Sequence, residues 1–167
     1  MISQRPALDL DVYELTKEHK LMFWNMFKKH HYLGDNFNKG ARTWVAYLWG
    51  NPVAFNSVLA LPHPKIKKAW RGHRLVVLPD YQGMSIGRAM TEFTGELLLS
   101  EGKRYFAKTA NIKLGEYRNK SANWRGTSKN GIARPDKMSS VKEYNNIHNK
   151  ALMMRVCYSH EYIGEKE

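Results

Sequence analysis

At 167 residues the chain has the length of one domain, and a 43% hydrophobic composition with five Trp and nine Tyr is enough for a sizeable core. No apolar run nears the roughly 20 residues that span a bilayer. Asp9 and Asp11 are out of place in a leader peptide, and the single cysteine, Cys157, excludes an internal disulfide, so a cytoplasmic location is expected. Lys and Arg number 27 against 15 Asp and Glu, a formal net charge of +12 that attracts polyanions.

In chain order, residues 7–15 alternate apolar and polar as a half-buried strand does. Thr16 reads as the N-cap of a helix running to about Lys29, with Glu18 in its first turn and a buried face drawn from Leu21, Met22, Trp24, Met26 and Phe27. The helix ends in His30-His31-Tyr32-Leu33-Gly34. Adjacent histidines on a helix point about 100° apart, and no Cys or carboxylate pair completes a ligand set, so no metal site is expected. Cationic side chains near a helix C-terminus, with Gly34 as the stop, are one reading of this cluster.

Residues 35–40 form a turn-rich loop, and 42–49 and 52–60 read as strands joined by Gly50-Asn51, a hairpin dipeptide that tolerates positive φ. Pro62 and Pro64 keep the basic loop 61–68 out of a ladder. Leu75 to Leu78 is a short buried strand halted by Pro79. The turn Gln82-Gly83-Met84-Ser85-Ile86-Gly87 opens an amphipathic helix with Ala89, Met90, Phe93, Leu97 and Leu98 near helical spacing. Strand, glycine turn and helix N-terminus suit phosphate: the first helical N–H groups lack partners, the dipole is positive there, and glycine admits the anion. The turn is not a P-loop, because Arg88-Ala89 follows Gly87 where Lys-Ser/Thr is needed. Nor is it the dinucleotide fingerprint, since only Gly83 and Gly87 are present.

Arg104 to Thr109 reads as the next strand, Asn111 to Asn119 as a short helix weakened by Gly115, and 120–140 as a long loop or insertion. Residues 141–150 read as a short polar helix, and Leu152 to Tyr158 as a last strand running into Ser159-His160-Glu161-Tyr162. No internal repeat is visible. Residues 103–137 concentrate Lys and Arg, with Tyr105, Phe106, Tyr117 and Trp124 interleaved. That stretch is either a base-stacking nucleic-acid surface or a solvated basic face.

Val77-x-Pro79 followed by Gln82-x-x-Ser85-x-Gly87 resembles the pyrophosphate loop of the GNAT acyltransferases, with Ser85 departing from the usual glycine. The order strand, helix, three strands, pyrophosphate turn, helix over about residues 7–102 is also that of a GNAT domain. The resemblance implies an α/β (α+β) fold over 1–167 as one domain, its mixed central sheet of about six to seven strands flanked by helices. It implies acetyl-CoA or another acyl-CoA as cofactor, without a metal. The cofactor contacts it implies are Val76, Val77, Leu78, Gln82, Gly83, Met84, Ser85, Ile86, Gly87, Arg88 and Asn111. The run from Asn111 to Arg118 is weakly similar to the family segment whose Tyr protonates the leaving CoA thiolate. Tyr117 is therefore the candidate general acid, the other reading being a Tyr packed on the sheet.

Acyl transfer to an amine needs an anchored donor, a polarised carbonyl and a neutral nucleophile. Backbone N–H groups at the end of strand 75–78 answer the second need. By residue type, His31, His160 and Glu161 are candidate bases for the third, with Tyr32 a further catalytic candidate. In the family the region after the first helix borders the acceptor, which implies His30, His31 and Tyr32 at its mouth. The His-His-Tyr cluster, Arg74 and the basic half are similar, less closely, to phage-type GNAT proteins including the Mom-like DNA-modification proteins. That likeness implies a DNA base as acceptor, contacted by His30, His31, Tyr32, Arg74, Arg118, Trp124 and Arg125, with no membrane partner. A protein or small-molecule amine is the alternative acceptor, and a non-catalytic nucleic-acid-binding module is the alternative class.

Overall fold

The computed structural model describes residues 8–31, 35–135 and 154–164. It opens with β1 (Asp11–Glu14), α1 (His19–Phe27) and a 3-10 turn over Lys28–His30. A meander of β2 (Arg42–Leu48), β3 (Asn51–Ala60) and β4 (Ala69–Val77) leads through a 3-10 turn, Pro79–Tyr81, into α2 (Ile86–Ser100). Then come β5 (Arg104–Thr109), α3 (Ile112–Lys120), β6 (Trp124–Gly126), β7 (Ile132–Pro135) and β8 (Met154–Tyr162). The eight strands make one mixed sheet in the order β1-β2-β3-β4-β5-β8-β6, with β7 also paired to β8. Only β4 and β5 run parallel; the other pairs are antiparallel. The α/β class and mixed sheet are those expected from the sequence.

Strand alternation divides the core into two layers. Trp44, Ala46 and Leu48 of β2 face Ile86, Met90 and Leu98 of α2, while Val45 faces Trp24 and Phe27 of α1 with Phe55 and Val76. The expected face of α1 is only partly right: Trp24 and Phe27 are buried, but Leu21, Met22 and Met26 are exposed. Thr16 does not cap α1 with its side chain, because its hydroxyl pairs with the His19 ring at 2.8 Å. In α2 the buried stripe is Ile86, Met90, Thr94 and Leu98 with Thr91 and Gly95, leaving Phe93 and Ala89 exposed. The hairpin turn is Trp49-Gly50, with φ of 51° and 77°, and not Gly50-Asn51. A bulge at Ala46/Tyr47 shifts the register so that Asn51 already pairs with Leu48.

β4 begins at Ala69, six residues before the expected Leu75, because β3 continues to Ala60 and supplies ladder partners from Trp70 onward. The loop expected over 120–140 carries β6 and β7, both laid on the outer edge of β8. Strands this short show too little alternation to be legible. Two helical glycines seat the helices on β8: a Cβ at Gly95 would lie 2.3 Å from the Tyr162 ring, and one at Gly115 only 2.1 Å from Tyr158. No helix among the described residues is long and apolar enough to cross a membrane. The helix expected over 141–150 and the trio Tyr32, Leu33 and Gly34 lie outside the described residues.

Candidate active site

The β4–β5 ladder ends at Arg71↔Phe106, so beyond that pair the two strands share no bridge and their facing edges separate. Ser57 pairs with Arg74 and Val58 with Gly72, which makes His73 the extra residue of a bulge where the separation begins. β4 is anchored past its end by the Leu78 N–H, which donates to the Val53 carbonyl at 2.9 Å. Pro79 starts the 3-10 turn, and the Gln82 side-chain amide donates back to the Val77 carbonyl at 3.1 Å. The chain then passes through Gly83 at φ 83° and Ser85 at φ 64° into α2. Ser85 makes no side-chain cap bond and no acidic residue stands in the first turn of α2. Gly87 lies against Val77 and Leu75, so this helix N-terminus sits beside the diverging end of β4.

The structure sorts the expected cofactor residues into backbone and side-chain contributors. Gln82, Gly83, Ser85 and Arg88 are exposed along the turn, while Gly87 and Met84 are partly buried. Ile86 and Val76 are buried, 1% and 3% exposed, so these two can offer only backbone groups, while Leu78 packs partly buried against the α1 layer. Val77 packs against the α2 layer. Asn111 is exposed and serves as the N-cap of α3, its Oδ1 accepting the Leu114 N–H at 3.0 Å.

Tyr117 on α3 is half-buried and meets α2. Its hydroxyl donates to Glu92 Oε1 at 2.5 Å, with Ser121 Oγ at 3.4 Å, and the Arg88 guanidinium lies 4.1 Å from its ring centroid. Burial first, then the bond to Glu92, raises its pKa above the ordinary tyrosine value, which keeps it protonated. Glu92 had no part in the sequence reading, although Arg88-x-x-x-Glu92 has the i,i+4 spacing of a helix ion pair, and the two are 3.4 Å apart.

On the α1 face lies an aromatic cluster with two histidines. His31 is 5.9 Å from Trp24 between ring centroids, and His73, unremarked in the sequence, is 5.6 Å from Phe37. Burial and then the Arg74 charge hold both imidazoles down to about 4, so both are neutral at pH 7. His73 Nε2 accepts the Asn38 N–H at 3.1 Å, which places its ring proton on Nδ1. Arg74 is committed to structure: Nε and Nη2 donate to the Asn36 carbonyl at 3.1 and 2.7 Å, and Nη1 to the His73 carbonyl. It ties the loop after α1 to β4. His30 is exposed on the 3-10 turn, and Tyr32 is not among the described residues.

Four other expectations fail. His160 is fully buried on β8, its Nε2 2.8 Å from Asn119 Oδ1, and burial with the Arg118 charge lowers it to about 4, so it is no accessible base. Glu161 is buried and pairs with Arg104 and Arg125, both at 2.6 Å, so it is no accessible base, while Arg125 keeps most of its side chain exposed. Trp124 and Tyr105 are 5% and 1% exposed, so neither can stack a base, and of the interleaved aromatics of 103–137 only Phe106 and Tyr117 are partly exposed. Arg118 is 2% exposed and cannot meet a substrate at the surface. Charge and aromatic content were legible in this stretch, but which face each residue takes was not. Among the described residues no three His, Cys, Asp or Glu side chains are grouped to hold a metal. A cavity of about 550 Å³ between α1, β1 and β2, lined by Tyr13, Met22, Phe23 and Tyr47 among others, contains none of the expected site residues.

Separated parallel strands beside an uncapped helix N-terminus define the acyl-CoA-binding class of α/β folds that the sequence resembled. The sequence model of the acetyltransferase (GNAT) domain matches residues 39–123, and the chain belongs to that family. Among solved structures, the ribosomal-protein-S18-alanine N-acetyltransferase from Escherichia coli is similar at 12% identity and TM-score 0.61, covering 95% of this chain and 97% of that one. A GNAT family acetyltransferase from Elizabethkingia anophelis with acetyl-CoA bound shares 10% identity at TM-score 0.62, covering 92% and 97%. Naa50 of Arabidopsis thaliana, in complex with the bisubstrate analogue CoA-Ac-MVNAL, shares 14% at TM-score 0.63, covering 91% and 97%. At these identities the likeness establishes the fold. No curated protein sequence matches the chain.

Proposed function

We propose that residues 1–167 act as one acetyltransferase domain that takes acetyl-CoA as donor and transfers the acetyl group directly to an amine. The observation that carries this reading is the uncapped N-terminus of α2, entered through left-handed backbone at Gly83 and Ser85. Its free N–H groups and positive dipole suit a pyrophosphate. No carboxylate in the first turn opposes one, and exposed Arg88 adds a cation. When bound, the thioester supplies the activated acyl group. The edge of β4 beyond Arg71, unpaired with β5, offers backbone N–H groups to polarise a carbonyl. Tyr117, protonated through burial and Glu92, is the general acid.

The acceptor we infer is a nucleic-acid base, modified as in phage anti-restriction. The net charge of +12 supports it, as do Lys65, Lys67, Lys68 and Arg71, exposed on the loop and strand that lead to the separation of β4 from β5. An exocyclic base amine is already neutral, so it needs no strong base, and His31 and His73 are weak ones. A peptide amine is the second reading, favoured by the likeness to the S18-alanine N-acetyltransferase and to Naa50. Thermal unfolding with acetyl-CoA tests the donor: at about 100-fold excess over Kd a ligand adds about 2.7 kcal/mol, or roughly 5–10 °C in Tm. Mass spectrometry of nucleosides from DNA and RNA of expressing cells tests the acceptor. An acyl-nucleoside is expected; unmodified nucleosides alongside acetylated protein amines would transfer the assignment to the second reading.

A further inference from the structure

Arg118 is 2% exposed, yet its Nε and Nη1 have no hydrogen-bond partner among the described residues. Its guanidinium lies 4.3 Å from the Trp124 ring centroid, a cation–π contact that leaves these N–H groups unsatisfied. A buried donor without an acceptor is costly, and native structures seldom keep one without a use. Burial lowers the Arg118 pKa, and the charges of Tyr105, Glu92 and Tyr117 oppose that fall. Of these neighbours only Glu92 is a carboxylate, and it is engaged elsewhere. Its Oε1 accepts from the Tyr117 hydroxyl at 2.5 Å and from Trp124 Nε1 at 3.3 Å, and its Oε2 from Arg88 Nε at 3.4 Å.

We propose that Glu92 is a positioning residue with two stations: it holds the Tyr117 hydroxyl in the resting protein and moves to the Arg118 guanidinium when that hydroxyl turns toward the sulfur of a bound thioester. The inference rests on Tyr117 being the general acid. In that step the Tyr117 O–H bond breaks and an S–H bond forms on the departing thiolate. The phenolate left behind, flanked by Arg88 and Arg118, regains a proton from solvent, and the acceptor nitrogen loses one to solvent. The orphaned Arg118 donors then find their acceptor at the moment Tyr117 gives its own up.

The charged and titratable groups around Tyr117 are Glu92 and Arg88 from α2 and Arg118 from α3, with Tyr105 of β5 and His160 of β8 behind Arg118. After burial, the bond to Glu92 is the next largest cause that raises Tyr117, so removing the carboxylate charge lets the phenol ionise at lower pH. Two measurements on the full chain test the proposal, with thermal unfolding of each variant as the check on folding. In protein carrying ¹⁵N-labelled arginine, CoA itself is titrated while the Arg118 Nε–H signal, assigned through Arg118→Lys, is followed. The signal is expected to move and to exchange more slowly on saturation, and to stay put in Glu92→Leu. An unmoved signal in the wild type, or the same movement in Glu92→Leu, overturns the two stations and leaves Arg118 bonded to buried water.

The second measurement is release of free thiol from acetyl-CoA, with hydroxylamine as a small neutral acceptor. Glu92→Gln is expected to lower kcat about tenfold with little change in KM and to shift the alkaline limb of kcat/KM, set by the free enzyme in which Glu92 holds the hydroxyl, to lower pH. Tyr117→Phe is expected to lose about 100-fold in kcat. Full turnover in Tyr117→Phe would overturn the general acid, whereas loss there beside a wild-type pH profile in Glu92→Gln would overturn the Glu92 role alone.

Discussion

Ser85 occupies left-handed backbone, φ 64°, at the position where the family motif carries glycine. A side chain there costs about 1–2 kcal/mol relative to the ordinary right-handed region. Ser85 is thus a strained stand-in and leaves the turn intact. Ser85→Gly removes the strain but frees the unfolded chain, so a net gain of about 0.5–1 kcal/mol is expected, or a rise in Tm of a few °C. A lower melting temperature in the glycine variant would contradict the left-handed assignment. The histidines supply a second test at this scale. His31, His73 and His160 are each held down to about 4, so between pH 6.5 and 4 the unfolded chain binds protons that the folded one refuses. Their contribution is complete above pH 6.5 and is lost as pH falls toward 4, by roughly 1–3 kcal/mol for each. Urea unfolding at pH 7.5 and pH 5 reads the slope, which should flatten in His160→Asn.

At the scale of elements, α3 shows where propensity and packing disagree. Helix propensity alone says that Gly115→Ala should stabilise by about 1 kcal/mol. The Tyr158 ring lies 2.1 Å from where that methyl group would sit, so a loss of about 1–3 kcal/mol is expected instead, read by denaturant midpoint. The sequence could carry the first judgement and not the second, because Tyr158 is 43 positions away in the chain. The same division runs through the fold. Val77-x-Pro79 and Gln82-x-x-Ser85-x-Gly87 are local, and the turn and α2 were legible from them. β5 was legible to the residue, Arg104 to Thr109. The turn of the first hairpin was displaced by one residue because a bulge leaves no mark in composition. Buried polar positions were the least legible. His160, Glu161 and Arg118 have the residue types of a site, and only their burial against other elements, beside Asn119, Arg104 and the Trp124 ring respectively, reveals that they are internal.

At the scale of the whole molecule, charge is unevenly available. Glu161 takes up Arg104 and Arg125, and Glu101 takes up Arg42 and Lys103, so part of the basic stretch after α2 is neutralised within the fold. The loop before β4 keeps Lys65, Lys67 and Lys68 exposed. If this loop meets the acceptor, DNA affinity falls steeply with salt, and Lys65→Ala, Lys67→Ala and Lys68→Ala each flatten the log–log slope by about 1. A slope unchanged in the triple variant would move the contact elsewhere. The pairing of β8 has a consequence for how the chain acquires its shape. β1 to β4 close on near neighbours in sequence, but β5, β6 and β7 all dock on a strand that begins at Met154. On the ribosome the first half can therefore fold while the second waits, with the notches at Gly95 and Gly115 open until Tyr158 and Tyr162 emerge. Synthesis halted at residue 150 should yield a chain in which residues 11–77 resist protease and 104–135 do not.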